Sequence, residues 1–272
     1  SFFFNAHNDF LVEVAKFRAA RSLWAKIMKD RFGVTDAKAM LCRFHTQTGG
    51  STLTAQQVDN NVVRTTIQAL SAVLGGTQSL HTNGFDEALG LPTDHSAKLA
   101  LRTQQVIAHE SGVTNFVDPL GGSEVIEKLT SELEEEALAI IEEIDNMGGV
   151  ISTIETGWIQ SEIAKSAYEY QKSIDSTNRK IVGVNSFEED ISSEANLQGI
   201  NQTSVKNQID SVLALKENRD NGSVQTKLSA LQSAANSDDN LMPAIIDCIR
   251  AECTLGEVAD SLRTQFGEFK QT

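Results

Sequence analysis

Cysteine is scarce in this sequence of 272 residues. The three cysteines, Cys42, Cys248 and Cys253, show neither a CxxC motif nor the Cys/His spacing of a metal site. Their scarcity excludes a disulfide framework and favours a reducing compartment, either the cytoplasm or, in a eukaryote, the mitochondrial matrix. Cys248 and Cys253 follow a helical pattern, so we expect both to be small core residues.

Long apolar runs and an excess of basic residues are also missing. No apolar stretch approaches the length of a membrane-spanning helix, and no secretory signal precedes the first predicted strand. The formal net charge of −14 argues against nucleic acid as a partner, because phosphate binding requires a basic surface. We therefore expect a soluble globular protein with neither a membrane nor a nucleic-acid partner. The chain enters a strand at once without an initiator methionine, which indicates a start in mid-domain.

Recognisable catalytic motifs are absent as well. The sequence contains no HExxH, P-loop or GxGxxG pattern, and no Ser/His/Asp arrangement marks a nucleophile. We accordingly assign no catalytic residue and no metal ligand in this chain.

What the first 122 residues do contain is an alternation of strands and amphipathic helices. This alternation is typical of βαβ units with a parallel sheet, and four units amount to half of a (β/α)8 barrel. A half barrel leaves two open sheet edges, which proteins normally avoid. The predicted strands are residues 1–6, 38–48, 77–83 and, more weakly, 113–117. The helix after the second strand is predicted to begin with a Thr54–Gln57 capping box and to bury Val58, Val62, Ala69 and Val73.

Two of these strands are unusually polar. Strands of a parallel sheet normally read as continuous Val, Ile and Leu, because both faces are buried. Here residues 41–51 read LCRFHTQTGGS and residues 77–94 read TQSLHTNGFDEALGLPTD. Burying so many polar groups costs several kcal/mol unless each finds a partner. The sequence therefore predicts a ligand channel inside the sheet, lined by the alternating residues Arg43, His45 and Gln47 of one strand and Ser79, His81 and Asn83 of the next.

The residue types indicate the kind of ligand. Lys38, Arg43 and His45 along one predicted strand suit an elongated anionic ligand. Gly49-Gly50 allows a flat ligand to approach the backbone, although a tight turn explains the same pair. Glu87 could accept hydrogen bonds from a ribose hydroxyl, or it could be an exposed carboxylate at a helix start. Ligands of parallel α/β folds bind at the carboxyl ends of strands, where the sequence also places Asp118.

The second half of the chain is mainly helical in pattern. A long acidic helix follows residue 123, a strand-like piece covers residues 180–187, and two or three helices follow an Asn-Gly turn signal at residues 221–222. We divide the chain into residues 1–122, the second half of a barrel, residues 123–195, a helical extension with a short strand, and residues 196–272, a helical C-terminal region.

Four strings in order carry a resemblance to a known family. They are FFFNAHNDFLVEVAKFRAARSLWAKIM, RFHTQTGGSTLTAQQ, GGTQSLHTNGFDEALGLPTD and VDPLGGS, and a looser match continues through IVGVNSF. The chain resembles the C-terminal half of the large subunit of the adenosylcobalamin-dependent acyl-CoA mutases, from the fifth barrel strand onward. The resemblance implies an α/β fold, the C-terminal half of a TIM (β/α)8 barrel followed by a mainly α-helical region. The family's barrel is split along its axis by the CoA ester.

The resemblance also implies roles for particular residues. Ser1 matches the serine of an Arg-Leu-Ser motif that contacts the acyl-CoA. The remaining positions that match the CoA path are Phe3, Lys38, Arg43, His45, Gln78 and Ser79. The positions that match cobalamin-facing residues are Gly50, Glu87 and Gly90, with Glu87 at the adenosyl ribose and with Gln47 and Leu91 close by.

The function implied is a radical 1,2-rearrangement of an acyl-CoA such as methylmalonyl-CoA, with adenosylcobalamin as cofactor. The expected partners are an N-terminal barrel half, which in the family carries a substrate-facing tyrosine and a Tyr-His pair, and a cobalamin-binding subunit or domain. Ser51 stands where methylmalonyl enzymes carry tryptophan, which keeps isobutyryl-CoA or hydroxyisobutyryl-CoA mutase open as an alternative. A non-catalytic assembly or binding fragment of the same fold is the other alternative.

Overall fold

A computed structural model describes residues 2–189 and 198–270 of the chain. The fold consists of two compact units, Ser1–Gln198 and Gly199–Thr272. The first is mixed α/β, mostly helical with a small parallel sheet, and the second is helical. The division into three regions at residues 122 and 195 stays a prediction. Within the described ranges, no helix has both the length and the apolar composition needed to cross a lipid bilayer.

The sheet of the first unit contains three parallel strands in the order β1-β2-β3. They are β1 Phe2–Ala6, β2 Phe44–Thr48 and β3 Ser79–His81, so the predicted strands exist but are shorter than expected. In the register, Phe3 lies beside His45 and His45 beside Ser79. One step along, Asn5, Gln47 and His81 form a second row.

The fourth predicted strand, residues 113–117, is wrong. Gly112 has a left-handed backbone (φ 74°) and starts a 3-10 turn at Val113–Asn115. Val117 is 97% exposed and has no strand partner among the described residues. Five residues bury too little surface to form a strand without a neighbour to pair with.

Helices cover one face of the sheet. They are α1 Phe10–Lys26, continued by a π-helical turn Ile27–Arg31, then α2 Asn60–Leu74, α3 Asp94–Glu110 and α4 Glu124–Asn146. The Thr54–Gln57 capping box is wrong, because Gln57 has a positive φ of 45° and α2 begins only at Asn60. The Thr54 hydroxyl instead donates to the carbonyl of Gln56.

Aromatic packing holds the helices to the sheet. The rings of Phe17 on α1 and Phe44 on β2 are stacked with centroids 5.2 Å apart. Phe4 meets Phe44 edge to face at the same distance. Ala6 and Ala72 complete this buried cluster. The even-numbered residues of β1 and β2 thus face the helices, and the odd-numbered residues face the other way.

The first unit also contains a short helix, α5 Val150–Glu155, and a longer one, α6 Trp158–Asp175. The strand-like piece at residues 180–187 forms only an isolated bridge between Val182 and Ser186. Positive φ angles at Gly183 (83°) and Phe187 (56°) turn the backbone there, so the predicted strand is wrong.

The second unit contains α7 Gln202–Asn218, α8 Asn221–Ala235, α9 Leu241–Arg250 and α10 Leu255–Phe266. The three helices described after residue 220 confirm the prediction of two or three helices there. Asn221-Gly222 does not form the predicted turn but begins α8, because the Asp220 side chain caps this helix. Cys248 and Cys253 lie in the core with Val224 and Leu231, as predicted.

Candidate functional site

The face of the sheet that points away from the helices is polar. Nδ1 of His45 and Oγ of Ser79 form a hydrogen bond of 2.7 Å across β2 and β3. The ring of Phe3, which is 60% exposed, lies 5.2 Å from the His45 ring between centroids. The alternation in the sequence predicted this orientation of His45 and Ser79, because each is one residue out of step with the buried apolar residues of its strand.

A cleft of about 430 Å³ opens over the amino-terminal ends of the strands. Arg43 is exposed at this cleft, and no acidic side chain of the described residues pairs with it. The cleft therefore presents a free positive charge beside hydrogen-bonding and aromatic groups. Its lining residues are Phe2, Phe3, Arg43, Phe44, His45, Gln78 and Ser79.

Two of the predicted substrate-binding residues, Lys38 and Gln78, are placed differently from the others. Lys38 lies in an exposed turn before β2, where its backbone N–H donates to Asp36, so the strand does not begin at residue 38 as predicted. Gln78 lines the cleft, but its side-chain amide is used by the backbone: Oε1 accepts from Phe44 (2.6 Å) and Nε2 donates to the carbonyl of Gly76 (2.8 Å). Ser1 lies outside the described residues.

At the opposite, carboxyl end of the strands, amide side chains form a chain of hydrogen bonds. Nε2 of Gln47 donates to Oδ1 of Asn83 (3.1 Å). Nδ2 of Asn83 in turn donates to the carbonyl of Thr48 (2.9 Å), so this buried asparagine joins the ends of β2 and β3. The polar face thus continues along the whole length of the strands.

Gly50 and Glu87 meet at this end. A Cβ atom added to Gly50 would lie 2.5 Å from Oε1 of Glu87, so the missing side chain leaves the room that the carboxylate occupies. Partial burial raises the pKa of Glu87; the nearby His81 lowers it, and Asp86 raises it further. In the part of the chain that the structure describes, the Glu87 carboxylate accepts no hydrogen bond from protein.

The other predicted cofactor-facing residues lie further out. Gly90 and Leu91 are exposed on the loop before α3, where the Gly90 N–H donates to the carbonyl of Asp86 (3.1 Å) and Leu91 forms a bridge with Gln198. Asp118 does not join the site, because Arg18 of α1 donates to both of its carboxylate oxygens at 2.6 and 2.7 Å.

Sequence reasoning missed the polar face that α2 turns towards the sheet. The predicted apolar stripe is only partly correct, since Val58 and Ala69 are buried whereas Val62 and Val73 are half-buried. The spacing of three or four residues between small or amide side chains was the signal available in the sequence. The buried polar residues of this face are Asn61, Thr65, Gln68 and Ser71.

Comparison with known proteins gives one consistent result. The methylmalonyl-CoA mutase family model matches residues 1–268. The 2-hydroxyisobutanoyl-CoA mutase large subunit of Aquincola tertiaricarbonis is 46% identical over 276 residues, which cover 100% of this chain and 49% of that protein.

Methylmalonyl-CoA mutases are similarly close. The enzyme of Escherichia coli strain K12 is 45% identical over 270 residues, and the mitochondrial enzyme of Homo sapiens is 43% identical over 272 residues. Each alignment covers 99% of this chain, but only 38% and 36% of the respective relative, so the chain spans about half or less of these relatives. With a family match over almost its whole length, this chain belongs to the methylmalonyl-CoA mutase family.

Proposed function

We propose that this chain is part of the catalytic subunit of an acyl-CoA mutase, and that the acyl-CoA lies along the polar face of the sheet. The observation that carries this proposal is the row of polar side chains, most of them exposed or half-buried, that runs from the cleft at Arg43 to the carboxylate of Glu87. An ordinary parallel sheet covers both faces with apolar side chains. An open polar face suits a polar ligand, and a long thioester with an anionic end has a matching shape and charge.

The amino-terminal cleft suits the CoA end of such a ligand. The guanidinium of Arg43 presents several donors in a planar, positively charged group that matches phosphate oxygens. The His45–Ser79 pair adds hydrogen-bonding groups, and the ring of Phe3 offers an apolar surface beside them. These side chains bind and orient the ligand, which is the protein's share of the catalysis.

The carboxyl end of the strands fits adenosylcobalamin. Glu87 carries a carboxylate with free acceptor capacity, partly removed from water, and such a group gains by accepting hydrogen bonds from ribose hydroxyls. Gly50 lies beside it, Gln47 is joined to the same end of the strands through Asn83, and Gly90 and Leu91 extend the Glu87 loop outward. Adenosylcobalamin, when bound, would supply the radical chemistry of the rearrangement. The residues of this chain would hold and orient the cofactor.

The partners proposed are an N-terminal barrel half and a cobalamin-binding small subunit or domain. Strand β1 pairs only with β2 among the described residues, so its other edge is open. Beside this edge lies an apolar groove of about 480 Å³ between α1 and α4, lined in part by Phe4, Trp24 and Leu133. An open edge beside an apolar groove favours addition of another strand with its helix, as completion of a (β/α)8 barrel requires. One relative is named as a large subunit, which supports the small subunit.

The acyl group itself is proposed to be methylmalonyl or a branched hydroxyacyl or acyl group. Ser51 favours the isobutyryl-type and 2-hydroxyisobutyryl-type branch over the methylmalonyl enzymes. We place the protein in the cytoplasm, or in the mitochondrial matrix of a eukaryote.

Reconstitution tests the function. This chain is mixed with an N-terminal half and a cobalamin-binding subunit from a relative, and turnover of methylmalonyl-CoA, isobutyryl-CoA and 2-hydroxyisobutyryl-CoA is measured with adenosylcobalamin. We expect turnover of at least one ester and its loss when any component is omitted. An assembled complex that binds no acyl-CoA and turns over none would favour the alternative of a non-catalytic assembly fragment.

A further inference from the structure

Asn61 of α2 is fully buried, with 0% exposure, and uses both ends of its side chain. Its Nδ2 donates to two carbonyls, those of Thr54 and Phe85, each at 2.8 Å. Its Oδ1 accepts from the N–H of Thr54 (3.1 Å) and from Arg64 (2.7 Å). One side chain therefore fastens the segment after β2 to the loop after β3.

Those two segments carry Gly50 and Glu87. Thr54 lies four residues beyond Gly50, and Phe85 lies two residues before Glu87. Gln68 lies two turns further along α2 and is also fully buried. It fixes the start of the first segment, because its Oε1 accepts from the N–H of Gly49 (3.0 Å) and its Nε2 donates to Thr52 (2.6 Å). Polar groups of α2 thus hold both sides of the Gly50–Glu87 contact from beneath.

We propose that Asn61 is a positioning residue, which sets the place of the Glu87 carboxylate relative to Gly50 by binding the two loops to each other. The proposal rests on the proposed function, because it assigns the Glu87 end of the polar face to the cofactor. No other described side chain bonds to the carbonyl of Phe85, so loss of the Asn61 amide leaves that partly buried carbonyl without its protein donor. The loop then shifts to find another donor, and Glu87 moves with it.

The main variant is Asn61→Ser, which stays polar and neutral but is too short to reach both carbonyls. Asn60→Ser is its matched control: the same change one residue earlier, at a side chain whose amide bonds only Gln57 among the residues that the structure describes. Asn61→Asp is the second variant, because it keeps the size and the acceptor of asparagine but cannot donate from its ionised form. Each is made in the full chain and assembled with the complementary half and the cobalamin-binding subunit.

Two affinities are measured by titration of this assembly, one for adenosylcobalamin and one for coenzyme A. We expect Asn61→Ser and Asn61→Asp to weaken adenosylcobalamin binding about tenfold, while coenzyme A binding at the distant Arg43 cleft changes less than about twofold. Asn60→Ser should change neither. Equal losses of both affinities, or no loss of either, would overturn the positioning role.

A second readout does not depend on the cofactor. The pKa of Glu87 is followed in the full chain by ¹³C NMR of its carboxyl carbon, with His81 and Asp86, its charged neighbours, left unchanged. Asn61→Ser should move this pKa towards the ordinary value of glutamate, and Asn60→Ser should leave it where it is. An unchanged pKa of Glu87 in a folded Asn61→Ser chain would contradict the positioning role of Asn61. Failure of the wild-type assembly to bind adenosylcobalamin would instead contradict the proposed function and would leave this pKa test valid.

Discussion

Arg43 is a side chain that we expect to matter for ligand binding and hardly at all for folding. It is exposed at the cleft and has no acidic partner in the described ranges, so it contributes no ion pair to the stability of the fold. A charged side chain without an internal partner loses no ion pair when a ligand binds, so its charge-assisted hydrogen bonds to the ligand contribute fully to affinity.

Arg43→Ala is expected to weaken acyl-CoA binding by about ten- to a hundredfold, because a hydrogen bond to a charged group contributes about 1.5–3 kcal/mol. The free energy of unfolding should change by less than about 0.5 kcal/mol. Titration with coenzyme A and urea unfolding measure the two quantities. Arg102→Ala, a change at another exposed arginine that contacts only Gln105 in the described structure, is the control and should affect neither.

Gly50→Ala tests the other end of the face. The added methyl group would lie 2.5 Å from the Glu87 carboxylate and must displace it, so adenosylcobalamin affinity should fall several-fold. Gly256→Ala is the control, since an added Cβ there meets nothing within 4 Å. A Gly50→Ala assembly with unchanged cofactor affinity would show that Glu87 does not contact the cofactor.

At the scale of elements, the sequence predicted what depends on local alternation and missed what depends on tertiary contacts. The polar face was predictable, because His45 and Ser79 are out of step with the apolar residues of their own strands. The burial of Asn61, Thr65 and Gln68 was not predictable, because the valines of α2 have a helical period of their own. Only contacts with the polar ends of the strands determine which face of this helix is buried. Likewise, Val113–Val117 has strand composition, but a strand exists only where a neighbour pairs with it.

In the C-terminal unit, the hydrogen bonds at the start of α10 can be tested by the pH dependence of stability. Thr254 and Glu257 form the capping box of α10, and Arg219 of the same unit donates to both Glu257 oxygens at 2.5 and 2.7 Å. The hydrogen bonds from Arg219, followed by those from Thr254, outweigh burial and lower the pKa of Glu257 from 4.5 to about 2. A depressed carboxylate pKa stabilises the fold above the unfolded value, and this contribution is lost as the pH falls from about 4.5 to about 2.

Glu257→Gln should remove this component of the pH dependence. We expect the free energy of unfolding to fall less steeply between pH 5 and pH 3 in Glu257→Gln than in the wild type, as measured by urea unfolding. Glu217→Gln, at an exposed carboxylate of α7, should keep the wild-type slope. Parallel slopes in all three proteins would show that the Arg219–Glu257 pair does not persist in solution.

For the whole molecule, the open edge of β1 is the feature that most needs a partner. Phe2 and Phe4 of this strand border the groove beneath α4. An apolar groove next to backbone N–H and C=O groups without a strand partner favours association with another strand. The relatives are two to three times as long as the aligned region, which agrees with a further barrel half as the occupant.

Leu133→Glu places a charge in this groove and should weaken association with the N-terminal half at least tenfold, because a buried unpaired carboxylate is costly. Leu101→Glu, at an exposed leucine on α3, is the control. Sedimentation of the mixed halves measures the effect, and equal association of both variants would place the contact elsewhere.

The central claim, that the polar face of this sheet holds an acyl-CoA along its strands, is tested most directly by a crystal structure of the assembled subunit with coenzyme A bound. The account predicts phosphate oxygens within hydrogen-bond distance of Arg43 and the thiol arm passing His45 and Ser79 towards Gln47. A ligand bound elsewhere, with apolar side chains of the partner half packed over His45 and Ser79, would contradict it.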